Sequence, residues 1–143
     1  MVTILDLAKY ILERQEQYSA WKLQKLCYYA QAWHYTWTER RLIAEDFQAW
    51  RNGPVCPMLF VLCKGKFIIT ADDIPGDSSK LNDDEKESVD VVLKDYGNRE
   101  PFDLQAQVIF EEPWQLARGN FSEDADCETI ITLESMGSYY GSL

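Results

Sequence analysis

The residues with the most reactive side chains are a single histidine and four cysteines. His34 follows Cys27 by seven residues, so the two side chains would share one face of a helix. At 1.5 Å per residue they would still lie about 10 Å apart along that helix, too far for a direct hydrogen bond. An enzyme would need the fold to bring Cys56 or Cys63 to His34. Because the chain also lacks a nucleophile elbow, we expect no catalytic residue.

The spacing of the same residues disfavours metal binding. Structural zinc sites normally use close pairs such as Cys-x-x-Cys, and the four cysteines here form no such pair. The glycine-containing stretches "KGKF" and "SMGSYYGS" match none of the spacings of phosphate-binding loops. We therefore expect neither a metal nor a cofactor, and cysteines that behave as small, buried, reduced side chains.

The net charge of −10, from 24 acidic and 14 basic residues, restricts the classes of partner. Nucleic acids and anionic membranes are both bound through clustered lysines and arginines, which a strongly acidic chain is poorly suited to supply. The aromatic stretch "KLCYYAQAWHYTW" at residues 25–37 could stack nucleic-acid bases, but such rows normally line basic grooves. We expect a protein partner and no direct contact with nucleic acid or membrane.

Hydrophobic periodicity predicts that helices position these residues. Helices are expected at residues 3–16, 21–37, 57–65 and 83–97, with one or two within 101–119 and a last one capped by Thr132. Residues 17–20 are typical of a turn, 47–50 of a short strand and 70–83 of an exposed polar loop. The sequence thus predicts one compact, mainly α domain over residues 1–143 with at most a short β-hairpin. No segment resembles a signal peptide or a membrane span, so a cytoplasmic location is expected.

The second predicted helix has a buried face and a polar edge. Tyrosine and tryptophan are favoured at protein interfaces because they bring large contact areas at a small entropic cost. We expect a core role for Tyr28, Trp33 and Trp37. The candidate partner-binding residues are those on the polar edge together with two later tryptophans: Lys22, Lys25, Tyr29, Tyr35, Trp50 and Trp114.

The stretch "GPVCP" interrupts the chain after Trp50. Proline fixes its own φ and disfavours the α region for the preceding residue, so Gly53-Pro54-Val55 is expected to form a rigid turn. Pro57 then stands where the first turn of a helix tolerates proline. Glu112-Pro113 is where the segment after residue 101 is expected to divide into two short helices. These residues are predicted to be structural.

Four stretches in this order resemble the Panacea domain, a phage-associated family: "KLQKLCYYAQAWHYTW", "IAEDFQAWRNGPVCPMLF", "EEPWQLAR" and "ITLESMGSYY". No single stretch is distinctive, but the ordered set spans most of the chain. The residues that carry the resemblance are Lys22, Leu23, Lys25, Leu26, Tyr28, Tyr29, Ala49, Trp50, Gly53, Pro54, Val55, Pro57, Pro113 and Trp114.

The resemblance implies a mostly helical domain without an enzymatic site, acting as the antitoxin that neutralises a toxin by binding it. It also implies that some members hand the toxin to a protease. One departure is that members often carry Thr-His ahead of the Pro-Trp, where this chain has "VIFEEPW".

The function expected from these observations is a non-catalytic protein-binding module. Its partner would be a bacterial toxin or a host protein with a basic surface, and copies of the chain could form a homo-oligomer. The alternative is a phage- or prophage-encoded inhibitor of host defence or nucleic-acid machinery, whose acidic surface occupies a basic groove.

Overall fold

A computed structural model describes residues 1–15, 17–122 and 124–143. The described residues form seven α-helices: α1 Ile4–Arg14, α2 Ala20–Thr38, α3 Pro57–Cys63, α4 Asp83–Tyr96, α5 Pro101–Phe110, α6 Glu112–Arg118 and α7 Leu133–Tyr140. They also form four short strands: β1 Gln17–Ser19, β2 Gln48–Trp50, β3 Gly53–Val55 and β4 Ile68–Thr70. The prediction of a mainly α fold is confirmed.

The strands pair into two small antiparallel sheets. Strands β2 and β3 form a hairpin, with Trp50 opposite Gly53. Strand β1 pairs with β4, with Ser19 opposite Ile68. The prediction of a turn at residues 17–20 was therefore wrong for residues 17–19, which form β1. The sequence around them does not indicate a strand, because the strand they pair with lies about fifty positions further along the chain.

Local capping sets where the helices begin. Thr3 and Asp6 form a reciprocal capping box at the start of α1. The Ser19 hydroxyl accepts a hydrogen bond from the amide of Lys22 and caps α2, and Thr132 caps α7 in the same way. Each of these caps depends on residues three positions apart, which is why they are readable in the sequence.

Helix α2 lies at the centre of the fold and packs against α1, α4, α5, α7 and the hairpin. Its buried polar side chains fix the connecting segments. The Gln24 amide exchanges hydrogen bonds of 2.9 and 3.1 Å with the backbone of Cys56. The Gln31 side-chain oxygen accepts from the amides of Leu42 and Ile43. Buried polar groups in native proteins are nearly always paired in this way.

The loop expected at residues 70–83 is less exposed than predicted. Ile74 and Leu81 lie in the core, and two short 3-10 turns occupy Ala71–Asp73 and Ser78–Lys80. The Asp6 carboxylate accepts a hydrogen bond of 2.8 Å from the amide of Asp77 and ties the segment to α1. Among the described residues, no helix combines the length and the apolar character needed to cross a membrane.

Candidate protein-binding surface

Three of the six candidate partner-binding residues are buried. Only 1% of Lys25 is exposed, Tyr29 is fully buried, and Trp114 is almost fully buried. The prediction that Lys25 and Tyr29 lie on a solvent-facing edge was wrong, because that side of α2 is covered by the hairpin, α5 and Glu111 at the junction of α5 and α6. Their direct contact with a partner is not compatible with this burial.

Tyr29 belongs to a buried hydrogen-bond network around Glu111. The Tyr29 and Tyr140 hydroxyls each donate to the same Glu111 carboxylate oxygen at 2.8 Å, and the Gln107 amide donates to the other at 3.2 Å. Burial raises the pKa of Tyr29 and of Tyr140, and the Glu111 carboxylate raises both further, so the hydroxyls remain protonated donors at neutral pH. The network joins α2 and α7 to the junction of α5 and α6.

Trp114 supports the hairpin from behind. Its indole N–H donates to the Trp50 carbonyl at 2.8 Å, and the Arg118 guanidinium donates to the Ala49 carbonyl at 2.8 Å. Pro113, in the first turn of α6, is buried beside Trp114. Trp50 itself is half-buried and packs edge to face on Phe60 of α3, with ring centroids 4.9 Å apart.

The prediction of a rigid turn at Gly53-Pro54-Val55 was wrong, because these residues form strand β3 and the turn of the hairpin is at Arg51 and Asn52. Gly53 is the first residue of β3, directly after that turn. Its φ is +124°, where a side chain is strained, and an added Cβ would lie 3.3 Å from Val108 Cγ1 and 3.7 Å from Lys25 Cε. Pro54 and Val55 are buried, and Pro57 occupies the first turn of α3.

Lys25 is an unusual core residue, since its ammonium is enclosed with few polar groups to compensate for the loss of water. Its Nζ donates to the Trp21 carbonyl at 3.4 Å and lies 5.4 Å from the Trp21 ring centroid. Burial lowers the pKa of Lys25 to about 8.

The two remaining candidates on α2 do not form one site. Lys22 is half-buried over the ring of Tyr18, and Tyr35 is half-buried against Gly137 of α7. Their thirteen-residue separation corresponds to about 20 Å along the helix. The sequence therefore identified the helix but not a common surface.

The structure exposes Trp37 at the end of α2, where a core position was predicted. Almost half of this side chain is accessible, at 48%, and its ring lies 5.4 Å from that of half-buried Trp33. Trp37 borders a shallow depression between α2 and α4, which we call the acidic depression. It is lined by Trp37, Thr38, Asp84, Glu87, Ser88 and Val91.

The floor of the acidic depression is fixed by the only histidine. His34 Nδ1 and Ser88 Oγ lie 2.8 Å apart in a hydrogen bond that joins α2 to α4. Burial lowers the pKa of His34, which favours the neutral ring at pH 7. Within the described ranges, no group of three His, Cys, Asp or Glu side chains is placed to hold a metal ion, and all four cysteines are buried.

The rim of the acidic depression carries concentrated negative charge. Residues 83–90 of α4 contain five carboxylates and one lysine, and Asp84 and Glu87 both line the depression and are exposed. A carboxylate pair beside an exposed indole suits a cationic side chain, because the guanidinium of arginine can pair with carboxylates and stack on the ring face. The sequence showed the acids on α4, but not that Trp37 stands next to them.

Comparison with known proteins identifies the family. No curated protein sequence and no solved structure matches the chain. The family model described as antitoxin SocA-like, Panacea domain, matches residues 23–115, about two thirds of the chain. The match includes α2 from Leu23 onward, the hairpin, α3, α4 and α5, and thus every residue that lines the acidic depression. The chain therefore belongs to the SocA-like antitoxin family of the Panacea domain.

Proposed function

We propose that this protein is a non-catalytic antitoxin that neutralises a protein toxin by binding it. The observation that carries the proposal is the match to an antitoxin family over residues 23–115. The most reactive side chains are buried, and this agrees with the proposal of a non-catalytic role. His34 bonds to Ser88, and the cysteines lie in the core.

The acidic depression is the proposed contact surface, and a basic segment of the toxin is its proposed occupant. Asp84 and Glu87 supply the charge, and Trp37 supplies an exposed aromatic face. Aromatic anchors surrounded by complementary charge are typical of residues that dominate binding energy. The net charge of −10 would also speed the encounter with a basic partner.

The test is co-expression in bacteria with a toxin, sought first among the products of genes that neighbour the one for this protein. We expect the parent chain to restore growth and the double charge reversal Asp84→Lys with Glu87→Lys to fail. A matched control reverses two exposed acids elsewhere, Glu13→Lys with Asp72→Lys, and should still restore growth. Failure of the parent chain against a demonstrated toxin would contradict the antitoxin role. Equal rescue by both double variants would instead exclude the acidic depression as the surface that contacts the toxin.

The same experiment separates simple neutralisation from delivery to a protease. A neutraliser leaves the amount of toxin unchanged while growth recovers, whereas an adaptor lowers it. Immunoblotting the toxin with and without the antitoxin distinguishes these outcomes.

A further inference from the structure

Helix α5 has two apolar faces, and only one of them is buried. Leu104 and Val108 point into the core. On the opposite side, Phe102 is 77% exposed and Phe110 is 82% exposed, with Ala106 exposed between them. Contiguous exposed apolar patches on a soluble protein mark interaction surfaces. The outward face of α5 therefore lacks a covering element within the described part of the chain.

The outward face of α5 carries one charged side chain, the exposed Asp103 in the first turn of the helix. The other residues on this side share the helical spacing of three and four positions and are uncharged: Phe102, Gln105, Ala106, Ile109 and Phe110. Two copies of a chain with a net charge of −10 repel each other wherever their acids meet. On this face an antiparallel pairing of two α5 helices centred on Ala106 sets each Asp103 opposite Ile109 of the other copy, so the two carboxylates lie about 9 Å apart along the helix axes.

The order of residues along this face makes it complementary to itself. In an antiparallel pair of α5 helices related by a two-fold axis at Ala106, Phe102 of each copy meets Phe110 of the other. Ala106 meets its own counterpart, and its small side chain allows the helices to approach closely. A two-fold interface requires such self-complementarity, since the same patch must serve both subunits.

The exposed area is of the right order for a dimer. Phe102, Phe110 and the half-exposed Phe121 next to the groove lined by Ala106 and Phe110 offer on the order of 400 Å² of aromatic surface. Standard interfaces bury about 800 Å² per partner, of which roughly 60% is apolar. Arg51 and Asp124 line the same groove and provide opposite charges at its rim.

We propose that the outward face of α5 is the interface of a homodimer, in which two α5 helices pack antiparallel about Ala106. This surface is distinct from the acidic depression. The proposal of a homodimer does not depend on the protein being an antitoxin.

The test is sedimentation velocity of the full-length protein from about 1 to 100 μM, a range that covers ordinary dimer affinities. We expect a dimer for the parent chain. Phe102→Glu and, separately, Phe110→Glu should each raise the dimer dissociation constant at least 100-fold while the circular dichroism spectrum is retained. Val61→Glu is the matched control, because Val61 is 69% exposed on α3 and should leave the dimer intact.

A second variant tests the two-fold geometry. Ala106→Cys places a thiol at the proposed axis, whereas the four natural cysteines are buried. A short bis-maleimide should cross-link this variant to itself and leave the parent protein uncross-linked. A monomer throughout the concentration range would overturn the proposal. So would a dimer that is insensitive to both phenylalanine substitutions, or one that Ala106→Cys fails to cross-link.

Discussion

Replacing Lys25 by methionine should stabilise the fold at neutral pH. The Lys25 ammonium is enclosed by Trp21 and the hairpin, and within the described structure it has one long hydrogen bond, to the Trp21 carbonyl. Burial lowers its pKa from the ordinary value of 10.5 to about 8. Each pKa unit corresponds to about 1.4 kcal/mol, so keeping this charge in the core costs about 3 kcal/mol at pH 7. Methionine has a similar unbranched stem and fills the same space without the charge.

The pH dependence follows from the direction of this shift. Because the folded-state pKa of Lys25 is lowered, the unfolded chain binds more protons than the folded chain between about pH 8 and 10.5. The full penalty is present below pH 8 and disappears as the pH rises through that window. At pH 9.5 about 1.5 kcal/mol of it remains. The advantage of Lys25→Met should therefore fall from about 3 kcal/mol at pH 7 to about 1.5 kcal/mol at pH 9.5.

The assay is urea unfolding at pH 7 and 9.5, monitored by tryptophan fluorescence. The free energies of unfolding of the two proteins are compared with the m value held constant. Tyrosine ionisation affects both proteins alike and cancels in their difference. Lys94→Met, at an exposed position on α4, is the control and should change stability by no more than about 0.5 kcal/mol. A Lys25→Met protein less stable than the parent, or a gain that does not shrink at pH 9.5, would refute this reasoning.

Three further predictions concern the hairpin, the buried network and partner association. Gly53→Val should lower the free energy of unfolding by about 1–3 kcal/mol, because valine is strained at φ +124° and meets Val108; an unchanged melting temperature would contradict this. Tyr29→Phe should cost about 1–3 kcal/mol in urea unfolding, since it removes a donor from buried Glu111, and equal stability would show that the network is dispensable. The association rate with a basic toxin should fall as salt rises to physiological strength, where the Debye length is about 8 Å; a rate independent of salt, measured by stopped flow, would exclude electrostatic steering.

Those parts of the fold that depend on neighbouring residues could be predicted from the sequence. The capping box at Thr3 and the caps at Ser19 and Thr132 act over three positions. The helices follow from a periodicity that each segment carries by itself. The pairing of β1 with β4 depends on a contact between distant segments, and no local pattern near residue 17 indicates it.

The candidate site was harder to predict, because periodicity gives the direction of a side chain but not what covers it. Tyr29 points away from the main apolar face of α2, yet Glu111 and Tyr140 enclose it. Trp37 shares a face with His34, yet α4 presents the small Ser88 there and leaves the indole accessible. Both errors arise from packing between elements that are distant in sequence.

The acidic depression as a toxin-binding surface is tested most directly by the affinity of the purified protein for its toxin, measured by isothermal titration calorimetry. Trp37→Ala should weaken binding at least 30-fold, equivalent to about 2 kcal/mol, if the indole is a central anchor. Trp21→Ala is the matched control, because Trp21 is exposed to a similar extent at the opposite end of α2, and it should bind within about threefold of the parent. Unchanged affinity for Trp37→Ala, with the expected fold retained, would contradict the account.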